Sequence, residues 1–367
     1  MHIFISNRAG TSEISRLLEN ESSPFKFTDL SFESVTPGGW TVASFKVPRP
    51  IRVWYDDMQT FNRIVIGEGP FVFWEGYIDK VDRSINPDVF NVNCLGWSSI
   101  FNQQGTTADI TVVAATDHMS EFIINVLLAD ANIISLISNS TANIGTTDYD
   151  YPDNTRFEFS PYTTYFDALD KLNSGNNWQW GVWKDRVMSF NAKPTTPTWL
   201  AKTSDCSDLK IGGNPANYAN RIICSYTQDS VHQQSVTVND TTSQTDYGRI
   251  VGKTLTIPGR ITTAGATAMA NVYLTEMTTL KVSAEFITSK IYDIYGTEHH
   301  KGEVKAGEVV RITDWLPTEE ISGVDNIATF EIKSPKYDHN SSSLAITPTE
   351  FVSQVEVSMA RIEATGY

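Results

Sequence analysis

Phe71-Val72-Phe73-Trp74-Glu75-Gly76-Tyr77-Ile78-Asp79, followed after a turn by Phe90-Asn91-Val92-Asn93-Cys94-Leu95-Gly96-Trp97, decides the fold class. Aromatic and β-branched residues dominate both runs, and glycine stands where a backbone must bend or approach a neighbour closely. Period-two alternation puts Val72, Trp74, Gly76 and Ile78 on one strand face and Phe73, Glu75, Tyr77 and Asp79 on the other, with one face core. Outward from this pair, from Phe25 to about Phe101, short apolar runs alternate with turn formers such as Pro37-Gly38-Gly39 and Asn86-Pro87-Asp88. This is the texture of an all-β sandwich or barrel.

From about Asp109 the texture changes. Asp117 is placed to cap a helix in which Met119, Phe122, Ile123, Val126 and Leu127 recur at helical spacing. Tyr165, Phe166, Leu169 and Leu172 mark a second helix, capped by Thr163 or Thr164 and stopped near Gly175. Trp178 to Trp183 and Val187 to Phe190 flank Lys184-Asp185-Arg186 and read as a hairpin. Pro194 to Pro197 reads as a linker, and β texture resumes at Leu209. One Ala-rich helix interrupts it at Ala264 to about Thr278, capped by Thr262 or Thr263, with Ala268, Val272 and Leu274 or Met277 expected inward. The expected organisation is mainly β with an α+β insertion: a tube-like β-barrel over 1–108, an α+β module over 109–200, and a second tube-like barrel over 201–367 with a helix near 264–278.

Composition narrows the function classes. With 40% hydrophobic and 19% charged residues in 367, most of the chain is expected to fold. Forty-three Asp and Glu against 28 Lys and Arg leave a net charge of -15, which disfavours wrapping or reading nucleic acid but suits a surface past which DNA slides. Cys94, Cys206 and Cys224 are too few and too far apart for a disulfide scaffold or a four-ligand zinc site, and read as small strand residues. Met1 to Arg8 lacks the basic flank and apolar stretch of a secretory signal. Phe122 to Ile137, broken by Asn125, Asp130 and Asn132, falls short of the ~20 apolar residues a membrane span needs.

Catalytic and ligand signatures are weak throughout, and no catalytic, cofactor-binding or metal residue is assigned. Gly212-Gly213-Asn214-Pro215 lacks the spacing and lysine of a phosphate loop and reads as a turn. His299 and His300 are adjacent, so on a strand they point to opposite faces and read as a solvated pair, not metal ligands. Asp148, Asp150 and Asp153 form an acidic loop that fails the EF-hand pattern at Pro152, Asp153 and Phe159, leaving only an adventitious Ca²⁺. Glu75, Asp79, Asp82 and Glu285 are carboxylates from which a glycosidase pair could be drawn. Trp74, Trp97, Trp180 and Trp183 fall in apolar strand patterns and are expected in the core, not on a sugar platform.

The order of elements resembles that of bacteriophage tail-tip or baseplate hub proteins. The run Phe71 to Trp97 is similar to their first tube-like barrel. The later series resembles the second: Ala219-Asn220-Arg221-Ile222, Asp246-Tyr247-Gly248, the Ala264 to Thr278 helix and the strand Ala306-Gly307-Glu308-Val309-Val310-Arg311-Ile312. Tyr165 to Phe190 is similar to the module such hubs carry between barrels. The resemblance implies a non-enzymatic structural hub in the virion's tail tip, assembled in the host cytoplasm. It implies three copies forming a pseudo-sixfold ring that continues the tail tube and passes DNA during ejection, with no cofactor and no membrane span. Implied partners are a distal tail protein, a tape-measure protein and tail fibres or spikes. A distal tail ring protein, and a carbohydrate-binding or carbohydrate-active β protein, are the alternative readings.

Overall fold

Polar and apolar residues alternate along most of the early strands, and antiparallel pairing gathers their apolar sides. A computed structural model describes residues 1–19, 26–48, 58–85, 88–106, 108–113, 118–146, 156–173, 178–209, 212–213, 218–229, 232–246, 248–260, 263–278, 282–283, 286–314 and 329–349. The first sheet contains β1 (His2–Ser6), β2 (Glu13–Leu18), β3 (Thr28–Val35), β4 (Gly38–Pro48), β5 (Arg63–Glu68), β6 (Phe71–Ile85) and β7 (Asp88–Gly96). These pair in the order β2–β1–β5–β6–β7–β4–β3, all antiparallel. Ile3, Ile5, Leu30, Phe45, Ile64, Ile66 and Val92 form buried sides.

β6 departs from the expected single buried face, since every residue from Phe73 to Ile78 is buried. Distant segments cover the side that carries Phe73, Glu75 and Tyr77. The His300 ring stacks on Phe73 at 4.3 Å and 4°, the turn after Trp183 reaches Glu75, and Trp97 lies 5.3 Å from Tyr77. Bulges at Ile66/Gly67 and Ile78/Lys80 shift the register where the strands bend.

After β7 a short turn leads to α1 (Ile100–Gln103), β8 (Ile110–Val113), α2 (Met119–Phe122) and α3 (Ala131–Ile134). The helix expected from Met119 is α-helical for one turn and then π-helical over Ile123–Leu127, which keeps Met119, Phe122, Ile123 and Leu127 buried. Its N-cap is His118; Asp117, Asp148, Asp150, Asp153 and Gly175 lie outside the described residues. β9 (Arg156–Phe159) pairs with β8. α4 (Tyr165–Asn173) starts as expected: Thr164 Oγ1 accepts from the Asp167 N–H at 3.0 Å and donates to its carboxylate at 2.6 Å. β10 (Trp178–Trp183) and β11 (Val187–Ala192) form the expected hairpin. Trp97, Trp180, Phe122, Leu169 and Phe190 share one core across strands and helices.

The hairpin joins the first sheet where Gly39 pairs in parallel with Val182. Gly39 has φ +94°, and a Cβ there would meet the Val182 backbone nitrogen at 2.6 Å, so the position requires glycine.

The remaining strands are grouped differently from the expected 201–367 barrel. β12 (Trp199–Lys202) and β13 (Cys206–Ser207) pair with strands far along the chain, beyond an insertion that packs by itself. Within that insertion, β14 (Gly212–Gly213) is a two-residue strand that pairs with β18 (Val282–Ser283), and Asn214 and Pro215 of the expected turn lie outside the described residues. β15 (Arg221–Asp229) lies between antiparallel β16 (His232–Asn239) and parallel β17 (Gly252–Arg260). Two helices accompany them, α5 (Thr241–Asp246) and α6 (Thr263–Thr278). Helix α6 turns Ala266, Ala270, Tyr273, Leu274 and Met277 inward onto Ile222, Cys224 and Leu255. Ala268, expected inward, is exposed, because alanines on every side gave no periodicity and Tyr273 fixes the buried face.

The second group in the larger unit is β19 (Phe286–Thr288), β20 (Ile291–Asp293), β21 (Glu298–His299), β22 (Val309–Thr313), β23 (Thr329–Asp338) and β24 (Ser343–Pro348). β12 pairs with β20 and β22, β13 with β19, β19 with β24, and β24 with β23. β23 pairs with β22 and with β3, so late strands continue the first sheet. The pairings among the described residues do not close a barrel. By contacts, the described residues of Met1–Leu209, Glu285–Ile321 and Thr329–Thr349 form one compact unit and those of Lys210–Ala284 another. The boundaries expected at 108/109 and 200/201 therefore do not separate these units. The protein is mainly β, with helical insertions.

Candidate functional site

Two features of the larger unit combine polar groups with accessible surface: a sheet face and a charged cleft. On the sheet, β23, β3, β4, β7 and β6 align residues in rows. Tyr337, Phe32, Ala43, Cys94 and Ile78 form an inward row, all buried. The adjacent row is Asp338, Ser31, Ser44, Asn93 and Lys80, all polar. Ser31 and Ser44 hydroxyls lie 3.1 Å apart, and the Ser334 hydroxyl donates to Glu33 at 2.8 Å. Lys46 pairs with Asp29 at 2.8 Å and Lys80 with Asp82 at 2.9 Å. A depression of about 270 Å³ on this face is lined by Glu33, Val42, Asp79, Asn93 and Lys336 among others. The result is a surface of short polar side chains with its lysines largely matched by carboxylates.

Glu75, which is fully buried, anchors two residues of the cleft wall, Arg63 and Asp185. Its Oε1 accepts from Arg63 Nε and Trp97 Nε1, both at 3.0 Å, and Oε2 accepts from the Asp185 N–H at 2.8 Å. Arg63 also reaches Asp185 at 3.3 Å. Arg186 lies over the Trp97 ring at 4.7 Å and donates to the Arg8 and Ala9 carbonyls at 3.2 and 2.8 Å. Burial, then the neighbouring Arg63, lowers the Arg186 pKa from its ordinary value. Arg63, Asp185 and Arg186 form one wall of an open cleft of about 260 Å³, and Ile134, Leu136, Ile137 and Ser138 the rest.

Among the described residues, each candidate carboxylate has its own surroundings. Glu75 has its oxygens occupied by three donors, Asp79 is on the polar sheet face, Asp82 pairs with Lys80, and Glu285 lies outside the described residues. Trp74, Trp97 and Trp180 are buried and Trp183 is half-buried. Cys94 and Cys224 are buried and Cys206 half-buried, all three free; burial pushes the Cys94 thiol pKa up. Among the described residues, no group of three or more His, Cys, Asp or Glu side chains is arranged to hold a metal ion.

The histidines differ from the solvated pair expected. His299 Nδ1 is 3.2 Å from Glu303 and Nε2 3.4 Å from Asp293, and these contacts, Glu303 foremost, raise its pKa. His300 is partly buried against Phe73, accepts from the Gly302 N–H, and has its pKa lowered chiefly by burial. A raised folded-state pKa favours the protonated form, so the His299 contribution is full below its unfolded value of about 6.5 and lost as pH rises through the folded value. The stability gap between wild type and His299→Gln should accordingly be wider at pH 5.5 than at pH 8.5 in thermal melts. An equal gap at both pH values would show that the ion pairs contribute nothing.

No protein-family model matches the sequence, nor does any curated protein sequence. Solved structures do. A prophage tail protein gp18 from Listeria monocytogenes EGD-e superposes over 100% of both chains with a TM-score of 0.57 at 11% identity. The fold is that of phage tail proteins. The prophage MuSo2 43 kDa tail protein from Shewanella oneidensis covers 97% of this chain and 99% of its own, with a TM-score of 0.56 at 9% identity. A tail protein from Neisseria meningitidis MC58 gives the same coverages, with a TM-score of 0.53 at 12% identity. The tail-protein fold therefore spans essentially the whole chain.

Proposed function

We propose that this protein is a structural, non-enzymatic hub of a phage tail tip or baseplate. Three copies form a pseudo-sixfold ring in the virion, continuing the tail tube and passing DNA during ejection. Each copy supplies two tube-like modules. A distal tail protein, a tape-measure protein and tail fibres or spikes are its neighbours. Six similar modules let a threefold hub meet a sixfold tube without leaving sheet edges open.

The observation that carries this reading is the polar row Asp338–Ser31–Ser44–Asn93–Lys80. Cations bind DNA by displacing counterions from phosphates, so a lumen must avoid rows of unmatched lysines. Here Lys46 and Lys80 have carboxylate partners, and three chains of -15 each place about -45 in one ring. Among the described residues no helix is long and apolar enough to cross a membrane.

Reconstruction of the assembled tail end tests the proposal. Three copies around the axis, two modules each, with Ser31, Ser44 and Asn93 facing the channel, is the expected outcome. Six copies contributing one module each, a channel lined by unmatched cations, or absence from the axial ring would reject it. The purified protein should also release neither sugar nor peptide from bacterial cell walls. Release that disappears with one Asp or Glu substitution would make it an enzyme.

A further inference from the structure

His299 ends β21 and His300 follows it, and the contacts of the two rings call for opposite protonation states. His299 places Nδ1 3.2 Å from the Glu303 carboxylate and Nε2 3.4 Å from that of Asp293. An ionised carboxylate only accepts, so the ring serves both neighbours when each nitrogen carries a proton, as imidazolium. His300 Nδ1 instead accepts from the Gly302 N–H at 3.0 Å. A backbone N–H only donates, so this nitrogen must be bare, and the neutral ring keeps its proton on Nε2.

Both rings act on one segment, His300 to Gly307, which lies against the first sheet. The His300 ring is stacked on Phe73, and a Cβ on Gly302 would meet Phe32 Cζ and Phe73 Cγ at 2.9 Å. Val304 and Ala306 are buried. The Ala306 N–H donates to the Ser34 hydroxyl at 3.0 Å, and the Gly307 N–H to the Ile332 carbonyl at 2.7 Å. Glu303 ties the rings together, because its Oε1 accepts from the His300 N–H at 3.2 Å while Oε2 faces His299. A proton gained by His300 would remove the acceptor that starts the turn. A proton lost from His299 would leave Glu303 or Asp293 facing a bare ring nitrogen.

We infer that His299 and His300 form a two-sided pH latch, which holds the His300–Gly307 segment on the sheet while His299 is charged and His300 neutral. The surrounding charges support this assignment. Burial foremost lowers the His300 pKa; Lys301 and the Met1 amino group act with it, and Glu68 and Glu303 against it. Glu19 is also within electrostatic range, and the Tyr337 ring lies 5.3 Å away. His299 faces Glu303 and Asp293, which raise its pKa, and the edge of the uncharged Trp199 ring. The two values thus part from a common 6.5. The His300 contribution is full above 6.5 and lost as pH falls through its folded value, whereas the His299 contribution is full below 6.5 and lost as pH rises through its own. The latch is therefore tightest near 6.5 and loosens on both sides. It is local to this unit and does not rest on the ring reading.

Hydrogen exchange of the full-length protein, read by mass spectrometry at about pH 5, 6.5 and 8.5 and corrected for the intrinsic rate at each pH, tests the latch. Amides of β4 and β7 serve as the reference within the same unit. His300→Asn supplies a favoured cap acceptor that does not titrate, and His300→Phe keeps an aromatic ring over Phe73 without titrating. His299→Gln removes the other titration.

The expected result is a several-fold loss of protection over Gly302 to Gly307 at both extremes, with β4 and β7 unchanged; one coupled proton allows at most about ten-fold per pH unit. Both His300 variants should abolish the acid-side loss and leave the alkaline one, and His299→Gln should do the reverse. Protection that is flat with pH in the wild-type chain would overturn the inference. So would an acid-side loss that persists undiminished in either His300 variant, or an equal loss in β4 and β7, which would make the effect global unfolding.

Discussion

Glu75→Ala is expected to destabilise the larger unit by about 3–5 kcal/mol, the range for removing one partner of a buried ion pair. The carboxylate is fully buried and holds three donors from separate places: Arg63 on β5, Trp97 after β7, and the Asp185 N–H at the β10–β11 turn. Alanine would strand the Trp97 and Asp185 donors, leave Arg63 with Asp185 as its remaining carboxylate, and open a void beside Trp97. Each unsatisfied buried donor costs about 1–3 kcal/mol, with more for the guanidinium. Glu75→Gln keeps the shape and one acceptor, so its loss should be clearly smaller. Urea unfolding followed by tryptophan fluorescence measures both. A change below 1 kcal/mol for the alanine variant would mean that water already satisfies the donors.

Glu75 also shows where sequence reasoning stops. Alternation on β6 correctly separates Trp74, Gly76 and Ile78 from Phe73, Glu75 and Tyr77, because period two is a property of the strand itself. Whether the second side meets water depends on segments over twenty to more than two hundred residues away: Trp97, the Lys184–Arg186 turn and His300. A glutamate between aromatics is the only local trace of that coverage, and it is equally compatible with a solvated face. The hairpin Trp178 to Ala192 and the start of α4 were legible because their signals are local: a turn between matched strands, and Thr164 three residues before Asp167.

Grouping was less legible for the same reason. Residues of 210–284 look like more β chain, yet Ile222, Cys224, Leu255, Tyr273 and Met277 form their own core. β12 instead finds β20 and β22, more than ninety residues later, and β23 returns to β3, about three hundred residues earlier. Short strands specify which side is apolar and leave partner choice to the packed whole. The polar row and the cleft exist only after that choice, which explains why no sequence motif marks either. The order of elements carried more information, since the resemblance to tail proteins that it suggested is matched by superpositions over nearly the entire chain.

Trp97→Ala should cost about 3–5 kcal/mol, as expected for deleting a large buried aromatic. Trp97 is 2% exposed, lies between Tyr77 and Arg186, and follows Gly96, where an added Cβ would collide with the Trp40 carbonyl oxygen. That close backbone approach fixes where the indole enters the core, so neighbours cannot simply move in to fill its space. Trp97→Phe retains much of the packing but gives up the 3.0 Å bond to Glu75, and its loss should fall near 1–3 kcal/mol. Because Trp97 and Glu75 share a network, their effects should not add. The Trp97→Phe/Glu75→Gln double variant should show a coupling of at least about 0.5 kcal/mol in a double-mutant cycle. Additive losses would assign the indole to packing alone, and a melting temperature within one degree of wild type for Trp97→Ala would place it outside the core altogether.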